Sequence, residues 1–198
     1  FMGMGEPLLN EDSVYDACDL LLDDWAFGLS RRKVTVSSAG IVPAIYRMSE
    51  ITPVSLAISL HAPNNNLRDI LVPINQKYPI KELMKACHHY LNAGTQERHI
   101  LFEYVMLDGV NDLPEHAITL AKLLNGISAK VNLIPFNPFP KTQYQTSKKD
   151  TIEHFQDILF KSGIRTTTRR TRGDDVDAAC GQLVGRVLDK TRRNAGRN

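Results

Sequence analysis

Short β-rich runs alternate with amphipathic stretches along this chain, and that alternation constrains its fold more than any other feature. Strands are predicted at five places, namely Lys33–Ser37, Ser55–Leu60, His99–Leu107, Lys130–Ile134 and Ile164–Arg169, and Phe1–Met4 is predicted to be the end of a further strand. Strands and helices in strict alternation are typical of βα units, whose strands pair in parallel. The sequence therefore predicts an α/β protein.

Apolar residues at helical spacing lie between the predicted strands. The stripes are formed by Val14, Cys18, Leu21 and Trp25, by Leu83, Met84, Cys87 and Leu91, and by Ile152, Phe155, Ile158 and Leu159. Asp112, with Glu115 three positions later, resembles a capping box at the start of another helix. Successive units of this length favour a partial or complete βα barrel, with an open doubly wound sheet as the alternative.

The 198 residues are enough for one domain of ordinary size. No apolar run approaches the ~20 residues of a membrane span, so the sequence predicts a cytoplasmic protein without a membrane partner. Ten basic residues stand against four acidic ones from Lys161 onward, although the net charge of the chain is only +2. A polyanionic partner at this basic end is predicted, with a merely solvated tail as the alternative.

Polar residues of low charge follow the predicted strands, where both barrels and doubly wound sheets place their active sites. They are Gly5 and Glu6, Ser37, the segment Ser59-Leu60-His61, Asp108 to Asn111, and Asn137. We call these residues at the carboxyl ends of the strands the rim. Their polar groups of low charge suit a zwitterionic or nucleoside ligand better than a polyphosphate, which requires a glycine-rich loop with a lysine. Taken singly, each of these residues has an equally simple structural role as a cap or a loop hydrogen-bond partner.

The three cysteines differ in their surroundings. Cys18 and Cys87 sit within apolar helical stripes and are predicted to pack in the core. Cys180 lies between Ala179 and Gly181, with arginines nearby, which is typical of an accessible thiol that ionises readily. The wide spacing of the three residues predicts neither a disulfide framework nor a metal site, so metal ligands are not expected in this chain.

With these residues in view, the chain resembles the RlmN-type dual-specificity RNA (adenine-C2) methyltransferases of the radical S-adenosylmethionine (SAM) superfamily over essentially its whole length. Five ordered stretches carry the resemblance: Phe1 to Asn10, Leu56 to Pro63, Glu103 to Asp108, Asn132 to Pro140 and Arg172 to Leu183. The resemblance implies a partial (βα) barrel of the radical SAM type that lacks its amino-terminal cluster-binding unit. Residues 1–198 would form the carboxy-terminal part of the core domain, with a methyl-carrying cysteine segment at 172–183 and a basic tail at 184–198.

The resemblance also implies an activity and a set of site residues. Gly5 and Glu6 would meet the SAM amino group, Ser37, Ser59, Leu60, His61 and Asn137 would line the rest of its site, and Cys180 would carry the methyl group as the catalytic nucleophile. One SAM methylates the cysteine, and a second yields a 5′-deoxyadenosyl radical that activates the S-methyl group for attack on carbon 2 of adenine. The ring carbon is electron-poor, so simple displacement cannot methylate it.

The implied partners are 23S ribosomal RNA and transfer RNA, a [4Fe-4S] cluster and an electron donor that reduces the cluster. The family's three cluster cysteines have no counterpart in this sequence, so the chain alone is expected to be inactive. Three alternatives remain open at this point: the sister enzymes that methylate carbon 8 of adenine, a metabolic βα-barrel enzyme with a phosphorylated substrate, and a non-catalytic RNA-binding module.

Overall fold

The computed structural model describes residues 1–3, 5–93, 98–140 and 142–169. Five strands form one parallel sheet in the order β1-β2-β3-β4-β5. They are β1 Thr35–Ser38, β2 Ser55–Ser59, β3 Ile100–Met106, β4 Ala129–Pro135 and β5 Arg165–Thr168. The helices are α1 Glu11–Leu22, α2 Val42–Ile51, α3 Asn65–Leu71, α4 Ile80–Asn92, α5 Pro114–Leu123 and α6 Lys149–Lys161, with short 3-10 turns at Pro7–Leu9, Arg31–Lys33 and Pro73–Gln76.

The strand order confirms the predicted α/β architecture and decides between its two forms. Each strand pairs with the next one along the chain, and right-handed crossovers in a single direction place all connecting helices on the same face of the sheet. A doubly wound sheet instead reverses its direction at a switch point. The sequential order is that of a βα barrel, so the doubly wound alternative is wrong for the described strands.

One face of the sheet is buried and the other is not. In β3, Phe102, Tyr104 and Met106 are at most 1% exposed, whereas the alternate residues Leu101 and Glu103 are only half-buried. The buried face packs against apolar residues of the helices, including Cys18 and Cys87. Since alternate residues of a strand point to opposite faces, the second set lines the helix-free face, which corresponds to the inside of the partial barrel.

Two details of the sequence prediction are wrong. Helix α1 ends at Leu22, so Trp25 leaves its stripe and is 98% exposed. The Asp112 carboxylate does not cap α5; it accepts a hydrogen bond from the Gly109 amide at 3.0 Å, and the helix begins at Pro114 without a side-chain cap. The strand end predicted at Phe1–Met4 is described for residues 1–3, where Phe1 pairs with β1 in the parallel pattern: it donates to the Thr35 carbonyl at 2.5 Å and accepts the Ser37 amide at 3.1 Å.

No helix in the described ranges is long and apolar enough to cross a membrane.

Candidate functional site

The helix-free face is unusually polar for the inside of a barrel. Ser59 at the end of β2, Glu103 and Asn132 in the middle of β3 and β4, and Thr167 of β5 lie side by side in register. The Thr167 hydroxyl donates to the Asn132 side-chain oxygen at 3.3 Å. A closed barrel fills this space with branched apolar side chains. A row of hydroxyl, carboxylate and amide groups instead indicates a surface that receives a polar ligand.

Glu103 is the charged member of this row. Burial raises the pKa of its carboxyl group, and the positive charge of Arg169 opposes that effect. Sequence analysis did not single out Glu103 as a site residue. The sequence feature that could have identified it is the alternation within β3: Glu103 lies between the apolar residues Phe102 and Tyr104 and must therefore face the opposite side of the sheet.

Gly5, Glu6 and Ser37 come together at the carboxyl end of β1. Gly5 has a φ of 92°, a conformation that favours glycine, and a Cβ atom placed there would meet nothing within 4 Å. The Glu6 carboxylate accepts hydrogen bonds from the amides of Leu8 at 3.1 Å and Ala39 at 2.6 Å. The Ser37 hydroxyl donates to the Phe1 carbonyl at 3.1 Å. Glu6 thereby fixes the Gly5 turn against the strand end and leaves open space in front of it.

The Ser59-Leu60-His61 segment is held from behind by a buried arginine. The Arg68 side chain is completely buried and donates to the carbonyls of Leu60 at 3.1 Å, Ser59 at 3.1 Å and Ala39 at 2.6 Å. The guanidinium group also donates a hydrogen bond to the side-chain oxygen of Asn75 at 3.0 Å. One guanidinium group thus ties the ends of β1 and β2 together, a role to which its planar fork of donors is suited. Since Glu6 binds the Ala39 amide, these bonds connect Glu6 to the Ser59 segment.

The loop after β3 fixes His61 from the other side. The Asn111 side chain donates to the carbonyls of His61 at 2.9 Å and Val105 at 2.6 Å and accepts from the Leu107 amide at 2.8 Å. Asn111 is fully buried, so it supports the rim and does not face a ligand. His61 itself has a φ of 58°, and its Nδ1 atom accepts the Val105 amide at 3.2 Å.

His61 is neutral at physiological pH in this arrangement. Burial, followed by the nearby charge of Arg68, lowers the pKa of the imidazole to about 4. Protonation at Nδ1 would also break the bond from the Val105 amide. The rim around Ser59 therefore presents a neutral imidazole beside hydroxyl groups and a carboxylate.

This lowered pKa predicts an acid-sensitive stability. Between pH ~6.5 and the folded value, the unfolded chain binds a proton on His61 that the folded chain does not, so the free energy of unfolding falls as the pH falls through that window. His61→Asn should make the fall less steep, because asparagine tolerates positive φ but does not titrate. Urea unfolding at pH 7 and pH 5 measures the difference. Equal pH dependence in the two proteins would contradict the assignment.

The remaining sequence-predicted residues are less closely grouped. Asn137 is exposed and lies two residues beyond the end of β4, on the far side of β3 from Ser59. Cys180, the segment 172–183 and the tail 184–198 lie outside the described residues. Cys18 and Cys87 are buried free thiols, and burial raises the pKa of both. Within the described ranges no three potential metal ligands cluster, so these residues do not fit an iron–sulfur cluster as ligands.

Comparison with known proteins adds to this picture. The sequence profile of the radical SAM superfamily matches residues 1–123. A dual-specificity RNA methyltransferase RlmN from Vesicomyosocius okutanii subsp. Calyptogena okutanii (strain HA) is 75% identical over 193 residues, which are 98% of this chain and 54% of that protein. The protein of the same name from Ruthia magnifica subsp. Calyptogena magnifica is 72% identical over 197 residues, which are 100% of this chain and 55% of that protein. The chain thus spans about half the length of these curated relatives.

Solved structures give the same fold. The crystal structure of a radical SAM methyltransferase from Sphaerobacter thermophilus superimposes with a TM-score of 0.85 at 44% identity, covering 92% of this chain and 53% of that one. A domain of pyruvate-formate lyase-activating enzyme from Bacteroides vulgatus ATCC 8482 superimposes with a TM-score of 0.61 at 15% identity, covering 86% of this chain and 100% of that one. The second likeness concerns the fold alone.

Proposed function

The chain belongs to the radical SAM superfamily, and on that premise we propose that the protein containing it methylates carbon 2 of adenine in 23S ribosomal RNA and in transfer RNA. The observation that carries this proposal is the high identity, over nearly the whole chain, to two proteins that bear the name dual-specificity RNA methyltransferase. Because the chain spans about half of their length, the activity is proposed for the full-length protein.

The donor set at the rim fits SAM. Its methionyl end is a zwitterion, and the Glu6 carboxylate keeps lone pairs for an ammonium group beside the open space at Gly5. Ser37 and Ser59 offer hydroxyl groups, Leu60 and His61 continue the same segment, and Asn137 stands at the end of β4. We assign these seven residues to the SAM site. When bound, SAM would supply the methyl group. Its reduction would supply the one-electron oxidation that activates this methyl group.

We assign the role of methyl carrier to Cys180. A thiolate attacks a sulfonium methyl group far more readily than an electron-poor ring carbon does, so the sulfur accepts the methyl group first. The ring carbon is then reached from the S-methyl group and not by direct displacement. The target adenine must leave its stack to approach that sulfur, so looped or single-stranded RNA is the expected substrate.

The reducing part of the reaction needs groups from elsewhere in the full-length protein. The described residues provide no ligand set for a [4Fe-4S] cluster, so we assign the cluster and its reduction by an electron donor to the rest of the protein. We also propose that the basic residues of the tail at 184–198 contact RNA phosphates and that the enzyme works in the cytoplasm, where both RNAs are found.

The decisive experiment is a product analysis. The full-length protein, reconstituted anaerobically with iron and sulfide, should convert adenine to 2-methyladenine in fragments of 23S ribosomal RNA and in transfer RNA when SAM and a reductant are supplied. Nucleoside mass spectrometry against synthetic standards separates 2-methyladenosine from 8-methyladenosine. The 8-methyl product would indicate the sister activity. RNA that stays unmodified, although the protein holds its full complement of iron and sulfide, would contradict the proposal.

A further inference from the structure

A groove of about 830 Å³ lies at the amino-terminal edge of the sheet, opposite the rim that holds the candidate SAM site. Its walls come from the first residues of the strands and from the segments that lead into them. The groove has six basic residues: Arg31, Arg32, Arg98, His99, Lys130 and Arg165. No aspartate or glutamate of the described ranges lines it. We call it the basic groove.

Two of the six basic side chains are already engaged within the protein. Arg98 donates to the carbonyls of Ser49 at 3.2 Å and Tyr90 at 3.3 Å and lies over the Tyr90 ring. His99 shares a hydrogen bond with the Ser128 hydroxyl.

The other four basic side chains have no anionic partner among the described residues. In the described part of the chain, the ion pairs join Arg47 to Glu11, His89 to Glu50 and Lys149 to Glu153. None of them involves Arg31, Arg32, Lys130 or Arg165, so the described residues leave four full positive charges uncompensated in one concave surface.

Two of these charges are placed where they repel each other. Lys130 of β4 and Arg165 of β5 are register partners on neighbouring strands, and both are exposed on the helix-free face. Like charges directly opposite one another on a sheet are destabilising. The negative ends of the helix dipoles do not explain the pair, because both residues lie several positions beyond the preceding helix, on the face that the helices do not cover. An anion lying across the two side chains removes this repulsion.

We propose that the basic groove binds the phosphate backbone of the RNA substrate as a second contact region, at the edge of the sheet opposite the candidate SAM site. Several cations in a row without a carboxylate suit a polyphosphodiester, whose charges repeat along its length, better than a single small anion. Along β2, Ser55 of the basic groove lies four residues before Ser59 of the rim, which at ~3.3 Å per residue is about 13 Å. The groove should therefore set RNA affinity and orientation without taking part in the chemistry. The identity of the polyanion as RNA rests on the function proposed above.

The test compares full-length Lys130→Gln/Arg165→Gln with wild type in RNA binding over a range of salt concentrations. Loss of two phosphate contacts should reduce the slope of log K against log[salt] by about 1.4 to 1.8, depending on whether single-stranded or duplex RNA is bound. The rate at saturating RNA should not change. Lys81→Gln/Lys85→Gln is the matched control, because it removes the same charge from the exposed face of α4, outside the basic groove.

A second pair of substitutions, outside the sheet, tests the basic groove without changing strand residues. Arg31→Gln/Arg32→Gln changes a 3-10 turn instead of strand residues and should give the same reduction in slope. Removing the Lys130–Arg165 repulsion should leave the melting temperature without RNA unchanged or higher. Salt slopes equal to wild type in both pairs, or equal reductions in the control, would overturn the proposal. A wild-type enzyme that binds RNA with the expected salt dependence but does not methylate it would contradict the proposed function. It would not contradict the proposed contact between RNA and the basic groove.

Discussion

Cys180→Ala in the full-length enzyme is expected to lower the rate of RNA methylation by more than ~10³-fold, while SAM binding remains. In the proposed mechanism the sulfur accepts the methyl group and delivers it to the ring, and removal of a covalent nucleophile would leave no alternative route of comparable rate. Cys180→Ser should fail as well, because a hydroxyl at neutral pH is a far weaker nucleophile than a thiolate. Nucleoside mass spectrometry of the RNA measures the loss, and isothermal titration measures SAM binding.

The matched control for that experiment is Cys87→Ala. Cys87 is buried within α4, and burial raises the pKa of its thiol to about 12, so it is inert at neutral pH. Its replacement removes a sulfur of the same kind from the core and should leave the methylation rate per folded molecule unchanged. Peptide mapping of wild-type protein should find an added methyl on the peptide that contains Cys180. Normal methylation by Cys180→Ala would exclude the cysteine carrier.

The α/β fold could be predicted because its determinants are local. All five predicted strands are present within a few residues of their predicted bounds, since apolar runs bounded by turn residues reflect burial directly. The end of α1 was missed because Trp25 continues the helical spacing of Val14 and Cys18, although the backbone turns away at Asp23. Periodicity indicates which residues could share a face, but not where the helix stops.

The rim was predictable from the sequence only in part. The positions after the strands identified Gly5, Glu6, Ser37 and the Ser59 segment, because the carboxyl ends of parallel strands meet at one edge. Arg68 escaped notice because a lone arginine in the mostly polar segment 64–69 resembles a surface residue. Its acceptors come from two distant strand ends and from Asn75, and only the folded chain brings them within reach. The basic groove was hidden for the same reason, since its charges are scattered between residues 31 and 165.

Arg68→Met is expected to lower the free energy of unfolding by about 3–5 kcal/mol. The change leaves the carbonyls of Ala39, Ser59 and Leu60 without their donor in a fully buried site, and each buried unsatisfied group costs about 1–3 kcal/mol. Methionine is shorter but has a similar volume, so the loss reflects the missing hydrogen bonds more than an empty cavity. Arg68→Lys keeps the charge, but a single ammonium group cannot reach acceptors in three directions, so it should recover only part of the stability.

Urea unfolding of these variants is compared with that of Arg47→Met, an arginine on α2 whose side chain is 54% exposed and pairs with Glu11. Loss of an exposed ion pair is worth about 0–1 kcal/mol, so this control separates the buried network from the mere removal of an arginine. In the folded population, Arg68→Met should also weaken SAM binding, because Arg68 holds the backbone of Ser59 and Leu60 at the rim. The same small effect on stability in Arg68→Met as in Arg47→Met would show that Arg68 does not fix the ends of β1 and β2.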